Sequence, residues 1–524
     1  MGRALVFAKV LVVVVALGVA VWLRPSTVEA QQPPTCGTHD PYNFNTFELP
    51  SSSGDFDAYK TLINLAVEGK LFPETLKAAG ETVDFRYQGL ESGPRGERES
   101  ANPSLRVPPT IYYSIAWIEA TWANAAWSVP WGAVGPTLRS FDCGFGIGQV
   151  TSGMANTTGT PNAKQALIGI HPAFNVAEGM RILAWHWNLA PQSRPVAGEG
   201  NPEHLEDWYY AIWGYNGFAF VNHPYHPNLS PLRGGEADSP IYHCWDSSAP
   251  SYVTNSEGQL IYRGHGDYTY PELVYGCMRH PPSRGGQQGW NAVDFNMPDF
   301  DRPEVAEAFE PKVYQDCYWE GPSLGCPGMD FPTSFPDDDL EPHKDIVPPT
   351  DVSKRAQYLG NPSLSFNGPS SAVTLEASGG GSIDSVAVSA TNTGSFIAPF
   401  RIRTTASWLV VTDANGSQTR YLDGNLAIGK ESEVVVRATP VRETKQGHVA
   451  EMKVTLVPER MPAGQSTATV YFEPLFGGGS TYSLTVTGKN NTSVAPTPTP
   501  SPTPKPNPPS HRITIGGIVA QESR

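Results

Sequence analysis

The sequence predicts a multidomain protein, mainly α in its first part, followed by an all-β sandwich. Three observations carry this expectation. At 524 residues the chain exceeds what one hydrophobic core holds together, so two domains or more are expected. Between Asp57 and about Gly217, apolar residues recur at the spacing of a helix face. From Pro362 onward the pattern changes to short period-two runs parted by Gly, Asn and Asp, as in an antiparallel sandwich.

Residues 1–30 read as a secretory signal. Arg3 and Lys9 supply positive charge, Val10 to Leu23 form the apolar run, and Val28-Glu29-Ala30 places small residues before a cleavage point. An uncleaved anchor is the competing reading, but 14 unbroken apolar residues fall short of the ~20 that span a bilayer unless those before Lys9 are added. Residues 31–56 are a polar, turn-rich lead-in. The helical unit is expected at 57–217. It begins with a helix from Tyr59 to Val67. A Pro-flanked helix follows, with Thr110 as N-cap, a buried stripe of Ile111, Ile115, Ile118 and Trp122, and Glu119 on the shoulder of that stripe. Asn175 and Glu178 read as a capping-box variant opening a helix that Pro191 stops, and Leu205, Trp208 and Ile212 mark a last helix ended by Gly214.

Residues 218–345 are rich in Pro, Gly, Asp and aromatics with little periodicity, and read as long loops stapled by disulfides onto the helical unit. A linker at 346–361 leads to the sandwich at 362–488, whose strands include Val386-Ala-Val388, Trp408-Leu-Val-Val411 and Thr469-Val-Tyr-Phe472. The Pro/Thr-rich stretch 489–510 is expected to be an extended polyproline spacer, and 511–524 a tail too short to fold alone.

Six cysteines, Cys36, Cys143, Cys244, Cys277, Cys317 and Cys326, make an even count in an export product, which favours disulfides over metal ligation. Six allow 15 pairings; the simplest closes Cys317 with Cys326 and Cys244 with Cys277, leaving Cys36 for Cys143. The net charge of −15 argues against a nucleic-acid partner, which calls for a basic face. Eleven of the 13 tryptophans fall between Trp117 and Trp319. Most are expected in the core, a minority in a groove where their faces stack on sugar rings.

Glu119 is the residue whose placement says most about chemistry. A carboxyl group set among tryptophans loses hydration, which disfavours its charged form, as a general acid working near neutral pH requires. Downstream come Gly144-Phe-Gly-Ile-Gly-Gln149 and Ala211-Ile-Trp-Gly-Tyr-Asn-Gly217. At these three motifs, in this order, the sequence resembles the soluble lytic transglycosylase family, and the Asn175 segment matches that family's helix start between the last two. The resemblance covers roughly residues 105–220. It implies a mainly α, lysozyme-like catalytic domain. It also implies cleavage of the β-1,4 bond between N-acetylmuramic acid and N-acetylglucosamine, with a 1,6-anhydro end formed by the substrate's own hydroxyl.

In that reading Glu119 is the acid and base, Tyr215 places its hydroxyl near the Glu119 carboxyl, and Gln149 hydrogen-bonds the acetamido group. Asn216 and Trp122 complete the expected substrate contacts, with Asn216 in a turn that tolerates a left-handed backbone. The chain departs from the family pattern at Ala120, where Ser is usual, at Gly148, where Met is usual, and in a longer interval between Glu119 and Gln149. That interval carries Asp142, which could activate a water and give hydrolysis of the goose-type lysozyme kind. Hydrolysis of chitin-like polymers, and a wall-binding protein without chemistry, are further alternatives.

Glu178 is assigned to helix capping and His186 to packing, and Asp337-Asp-Asp339 with Glu341 and His343 lacks the spacing of a cation site. No metal or organic cofactor is implied. Thr391-Asn-Thr-Gly394 and Ala406-Ser-Trp-Leu409 make the sandwich resemble the immunoglobulin-like accessory modules of bacterial secreted proteins, which implies a spacer or a contact with wall glycan. The expected partner is peptidoglycan or a related N-acetylated glycan, outside the cytoplasm.

Overall fold

The computed structural model describes residues 44–49, 56–94, 96–140, 143–154, 161–193, 196–219, 222, 244, 252–254, 260–262, 268–284, 286–295, 330–331, 342–345, 350–378, 383–413, 418–419, 437–440 and 448–491. Helices α1 (Asp57–Val67), α2 (Pro109–Ala120), α3 (Ala163–Ile170), α4 (Pro172–Ser193), α5 (Tyr209–Tyr215), α6 (Tyr270–Arg279) and α7 (Arg355–Leu359) surround one core. Short two-stranded ladders lie among them: β1 (Asn45–Phe47) with β4 (Val134–Pro136), β2 (Leu76–Ala78) with β3 (Glu81–Val83), β5 (Val196–Ala197) with β10 (Asp330–Phe331), β6 (Tyr252–Thr254) with β7 (Leu260–Tyr262), and β8 (Ser283–Arg284) with β9 (Gln287–Gln288). The mainly α expectation for this part is therefore corrected to a mixed α/β unit with several sheets. Runs of two or three residues carry no readable period, so sequence patterning passes over them.

Helix α2 is built to be buried. Pro109 opens it at a position where a missing N–H costs nothing, and ten of its 12 residues are buried, as expected of a helix apolar on nearly every side. Thr110 is not its N-cap. The Thr110 backbone N–H and hydroxyl both donate to the Asp345 carboxylate at 2.8 and 2.7 Å, so a group 235 residues away satisfies the helix start. The helix ends where Thr121 and Trp122 both adopt left-handed φ, 48° and 55°, a conformation costly for a β-branched residue. That turn drives the Trp122 indole inward.

Other local assignments move as well. Asn175 lies inside α4 and Pro191 does not stop it, because α4 starts at Pro172 and runs to Ser193. The capping box is instead at Asn162 and Gln165, opening α3. Glu178 pairs with Lys164 at 2.7 Å and Arg181 at 2.6 Å rather than capping. The expected loop region contains α6, opened by a capping box of Thr269 and Glu272, with Leu273, Val274, Tyr275, Cys277 and Met278 in the core. Cys244 and Cys277 are joined. Cys143 is also disulfide-bonded, whereas Cys36, Cys317 and Cys326 lie outside the described residues, as do the leader and the 492–524 end.

The β-sandwich forms where the alternation predicts, mostly antiparallel, but Ser363–Asn367 pairs parallel with Gly478–Gly479 and Val373–Ala377 parallel with Tyr482–Asn490. One sheet runs in the order β16 (Gln418–Thr419), β15 (Leu409–Asp413), β18 (His448–Leu456), β13 (Ser385–Asn392), β11 (Ser363–Asn367), β20 (Gly478–Gly479). The other runs β12 (Val373–Ala377), β21 (Tyr482–Asn490), β19 (Gly464–Pro474), β14 (Ile397–Thr404), β17 (Arg437–Pro440). Phe366 on the first sheet packs against Phe400 and Phe472 on the second at ring distances of 5.6 and 5.8 Å.

The sandwich is not a tethered spacer. Phe396 and Phe476 pack on His171, and Phe396 and Phe476 also reach Phe47 and Phe174 respectively. The presumed linker is docked too: Arg355 donates to Leu71 O at 2.7 Å and Tyr358 and Leu359 are buried. Arg401 bridges Glu81 of the first unit, at 2.6 Å, and Glu473 of the sandwich, at 2.9 Å.

Candidate active site

Glu119 lies in the last turn of α2, partly exposed. Two turns earlier on the same helix face is Tyr112, wholly buried. The group that holds Glu119 is one the sequence did not single out: the Tyr270 hydroxyl, from the first residue of α6, donates to Glu119 Oε1 at 2.5 Å. Tyr270 is itself positioned from the motif expected at 211–217. Asn216 accepts a hydrogen bond from the Asn222 carboxamide, and Asn222 Oδ1 accepts the Tyr270 backbone N–H at 3.0 Å. Asn216 thus acts behind the site. It does not take the left-handed turn, with φ −86°; Gly217 does, at φ 71°.

Tyr215 stands in the same cluster, but its hydroxyl donates to Gly148 O at 2.7 Å. Gly148 and Gly179 leave room for the tyrosines: a Cβ at Gly179 would meet the Tyr112 hydroxyl at 2.0 Å, and one at Gly148 would meet it at 2.8 Å. That close approach explains why glycine stands at 148. Burial, reinforced by the charge of Glu119, pushes the phenols of Tyr270 and Tyr215 well above the usual tyrosine range. Burial does the same at Tyr112. All three stay neutral, with Glu119 and Glu178 the carboxyls that act on Tyr112 and Tyr215.

The Gly144–Gln149 turn is pinned from behind by two buried asparagines. Asn124 Oδ1 accepts Ile147 N–H at 3.1 Å. Asn175 Oδ1 accepts Gly148 N–H at 2.8 Å while its amide donates to Phe145 O and Ile168 O. Gln149 is in left-handed φ, 41°, and its amide donates to Gly146 O at 2.6 Å, which folds the side chain back onto its own turn. Trp122 is corrected as a substrate contact: it is 1% exposed, its indole N–H donates to Tyr113 O, and its ring stacks on Trp290. Asp142, and the acids from Asp337 to Glu341, lie outside the described residues. His343 pairs with Glu206 at 2.6 Å, and His186 packs edge-on against Trp185 and Phe218.

Among the described residues no group of three or more His, Cys, Asp or Glu side chains could hold a metal. Tyr270→Phe removes a hydrogen bond to a charged group, an interaction of about 1.5–3 kcal/mol. Any turnover that depends on the Glu119 carboxyl should therefore fall roughly 10- to 100-fold with little change in substrate affinity, read as kcat against KM. A change in KM alone would make Tyr270 a packing residue.

No known protein family matches the chain, and no curated protein matches it. The expected membership of the soluble lytic transglycosylase family, with its lysozyme-like fold, is withdrawn on that ground and on the mixed α/β architecture. Solved structures match over about a quarter of the chain. The PapD-like domain of human CEP192 is 11% identical, with 25% of this chain and 87% of that chain covered and a TM-score of 0.16. The CooA pilin subunit of enterotoxigenic Escherichia coli is 10% identical, with 24% and 98% covered and a TM-score of 0.16. The Cys244–Cys277 disulfide is the chemistry of an oxidising, extracytoplasmic compartment. Among the described residues no helix is long and apolar enough to cross a membrane.

Proposed function

We propose that the protein is a secreted, wall-degrading enzyme that cleaves the β-1,4 bond between N-acetylmuramic acid and N-acetylglucosamine in peptidoglycan by intramolecular transglycosylation, with Glu119 as the one acid and base. The observation that carries this reading is the Tyr270 hydroxyl at 2.5 Å from a partly exposed carboxyl, with Tyr215 and Tyr112 near enough for the Glu119 charge to act on them. Protonated Glu119 gives its proton to the glycosidic oxygen as the bond from that oxygen to the anomeric carbon breaks. The carboxylate left behind keeps the Tyr270 hydrogen bond, which is stronger to an ion than to a neutral acid. It then takes the proton of the muramoyl 6-hydroxyl as that oxygen bonds to the anomeric carbon, closing the anhydro ring.

Glycosidases usually need two carboxylates. Here the other described acid near the tyrosines, Glu178, is tied up by Lys164 and Arg181, and a tethered nucleophile needs no second one. Mass spectrometry of soluble fragments released from purified peptidoglycan by the full chain tests this. Muramoyl ends lacking one water are expected. Hydrolysed ends would overturn the transglycosylation, and no release would leave a wall-binding protein.

A further inference from the structure

The segment between Glu119 and Gln149 contains a surface the mechanism above does not use. Two tryptophans stand out of it: Trp127 is 73% exposed and Trp131 40% exposed. Two large exposed indoles within four residues of chain are a notable apolar feature on a protein surface, where apolar patches mark contact sites. They are not on a slack loop. Glu48 holds its start, accepting the Asn124 and Ala125 N–H groups at 2.9 and 2.7 Å. Paired main-chain bonds between Glu48 and the 132–133 segment, at 2.9 and 3.1 Å, hold its end. Inside it, Val129 N–H closes a tight turn onto Ala126 O at 2.7 Å, and Gly135 is packed so closely that a Cβ there would meet Val129 Cγ2 at 2.3 Å. The indoles are thus presented on a rigid frame, which keeps the entropy cost of binding low.

A cation is built into the same surface. Arg284, on β8 just after the helix that carries Tyr270, donates to Thr121 O at 2.8 Å. Its guanidinium lies 5.5 Å from the Trp131 ring centre and 4.8 Å from that of Trp117. This contact fixes the platform at the C-terminal end of α2, whose last turn bears Glu119. In a chain of net charge −15, a positive group stacked between aromatic rings at that place selects for a ligand offering both flat apolar faces and a carboxylate.

We infer that Trp127 and Trp131, with Arg284, form an outlying subsite for pyranose rings of a wall strand, the indoles stacking on sugar faces and the guanidinium receiving a muramoyl or stem-peptide carboxylate. The inference rests on the reading of Glu119 as a glycan-cleaving acid. The experiment uses the full chain carrying Glu119→Gln, so that bound glycan is not consumed. Affinities are measured by titration calorimetry for β-1,4-linked N-acetylglucosamine oligomers from dimer to octamer, and for peptide-bearing glycan strands. Trp127→Ala with Trp131→Ala should weaken octamer binding by about tenfold or more, with the loss growing with oligomer length. Arg284→Gln, which keeps a donor for Thr121 O, should remove the preference for peptide-bearing strands.

Octamer affinity unchanged by the tryptophan pair would overturn the subsite. The same would follow if that pair left glycan affinity intact but abolished a dimer seen by sedimentation, since a second copy would then be what covers the platform. Failure of the parent Glu119→Gln chain to bind any oligomer or strand would instead sink the glycan reading from which the subsite follows.

Discussion

Turnover of peptidoglycan by Glu119→Gln is expected to fall by about a thousandfold or more, in line with the loss of a positioned general acid and base. The substitution is chosen to leave the local structure standing. A glutamine oxygen still accepts the Tyr270 hydroxyl that now reaches Glu119 Oε1 at 2.5 Å, and the partly exposed position demands no charge. What is lost is the titratable proton, since a carboxamide neither gives up nor takes a proton near neutral pH. Circular dichroism and thermal melting should match the parent chain, and strand affinity should be nearly unchanged. Retained turnover in a well-folded variant would remove Glu119 from the mechanism. A folded variant that lost binding as well as turnover would make the residue a substrate contact rather than an acid.

Arg401→Met should have the largest effect on stability. The Arg401 side chain is 9% exposed and lies between two carboxylates, Glu473 in the sandwich and Glu81 in the first unit. Glu81 in turn accepts the Ala163 N–H at the start of α3, at 3.1 Å, where a negative charge complements the helix dipole. Arg403 also donates to Glu473 at 3.1 Å. Removing Arg401 leaves the buried Glu473 with Arg403 as its remaining cation, while Glu81 and Arg403 stay partly open to water that screens them, so the cost is roughly 1–3 kcal/mol. Because this network joins the two folded units, the loss should fall on their coupling. Calorimetry should show the melting transition lowered by a few degrees and split, with the sandwich unfolding apart from the mixed α/β unit. An unchanged single transition would show that the aromatic contacts of Phe396 and Phe476 with His171 hold the units together without the ions.

Much was legible without coordinates. The helix bearing Glu119, the helix expected from Tyr59 to Val67 and found at Asp57–Val67, and the strands beyond Pro362 were written in periodicity and proline placement, whereas Cys244 with Cys277 was the simplest of 15 possible pairings. These signals work because they depend on neighbours within one turn of helix or two residues of strand. The misplaced capping box shows the limit of even that local code. Asn162 with Gln165 and Asn175 with Glu178 present the same spacing, and only the start of α4 at Pro172 decides that the second pair is interior.

What the tertiary structure alone decided is the surroundings of the acid. Tyr270 stands 151 residues from Glu119, in a stretch whose aromatics and prolines read as loop, and the Asp345 that holds the start of α2 comes from the end of that same stretch. Trp122 was taken for the cleft because an indole suits a sugar face as well as a core; two left-handed residues turn it inward. Whether the sandwich trails or docks was equally hidden, since the His171, Phe396 and Phe476 contact has one partner in each unit. A sequence by itself determines which residues can form a helix, a strand or a disulfide. Which distant donor satisfies a given carboxyl depends on how the elements close upon one another, because hydrogen bonds and packing act over a few ångströms in space whatever the separation along the chain.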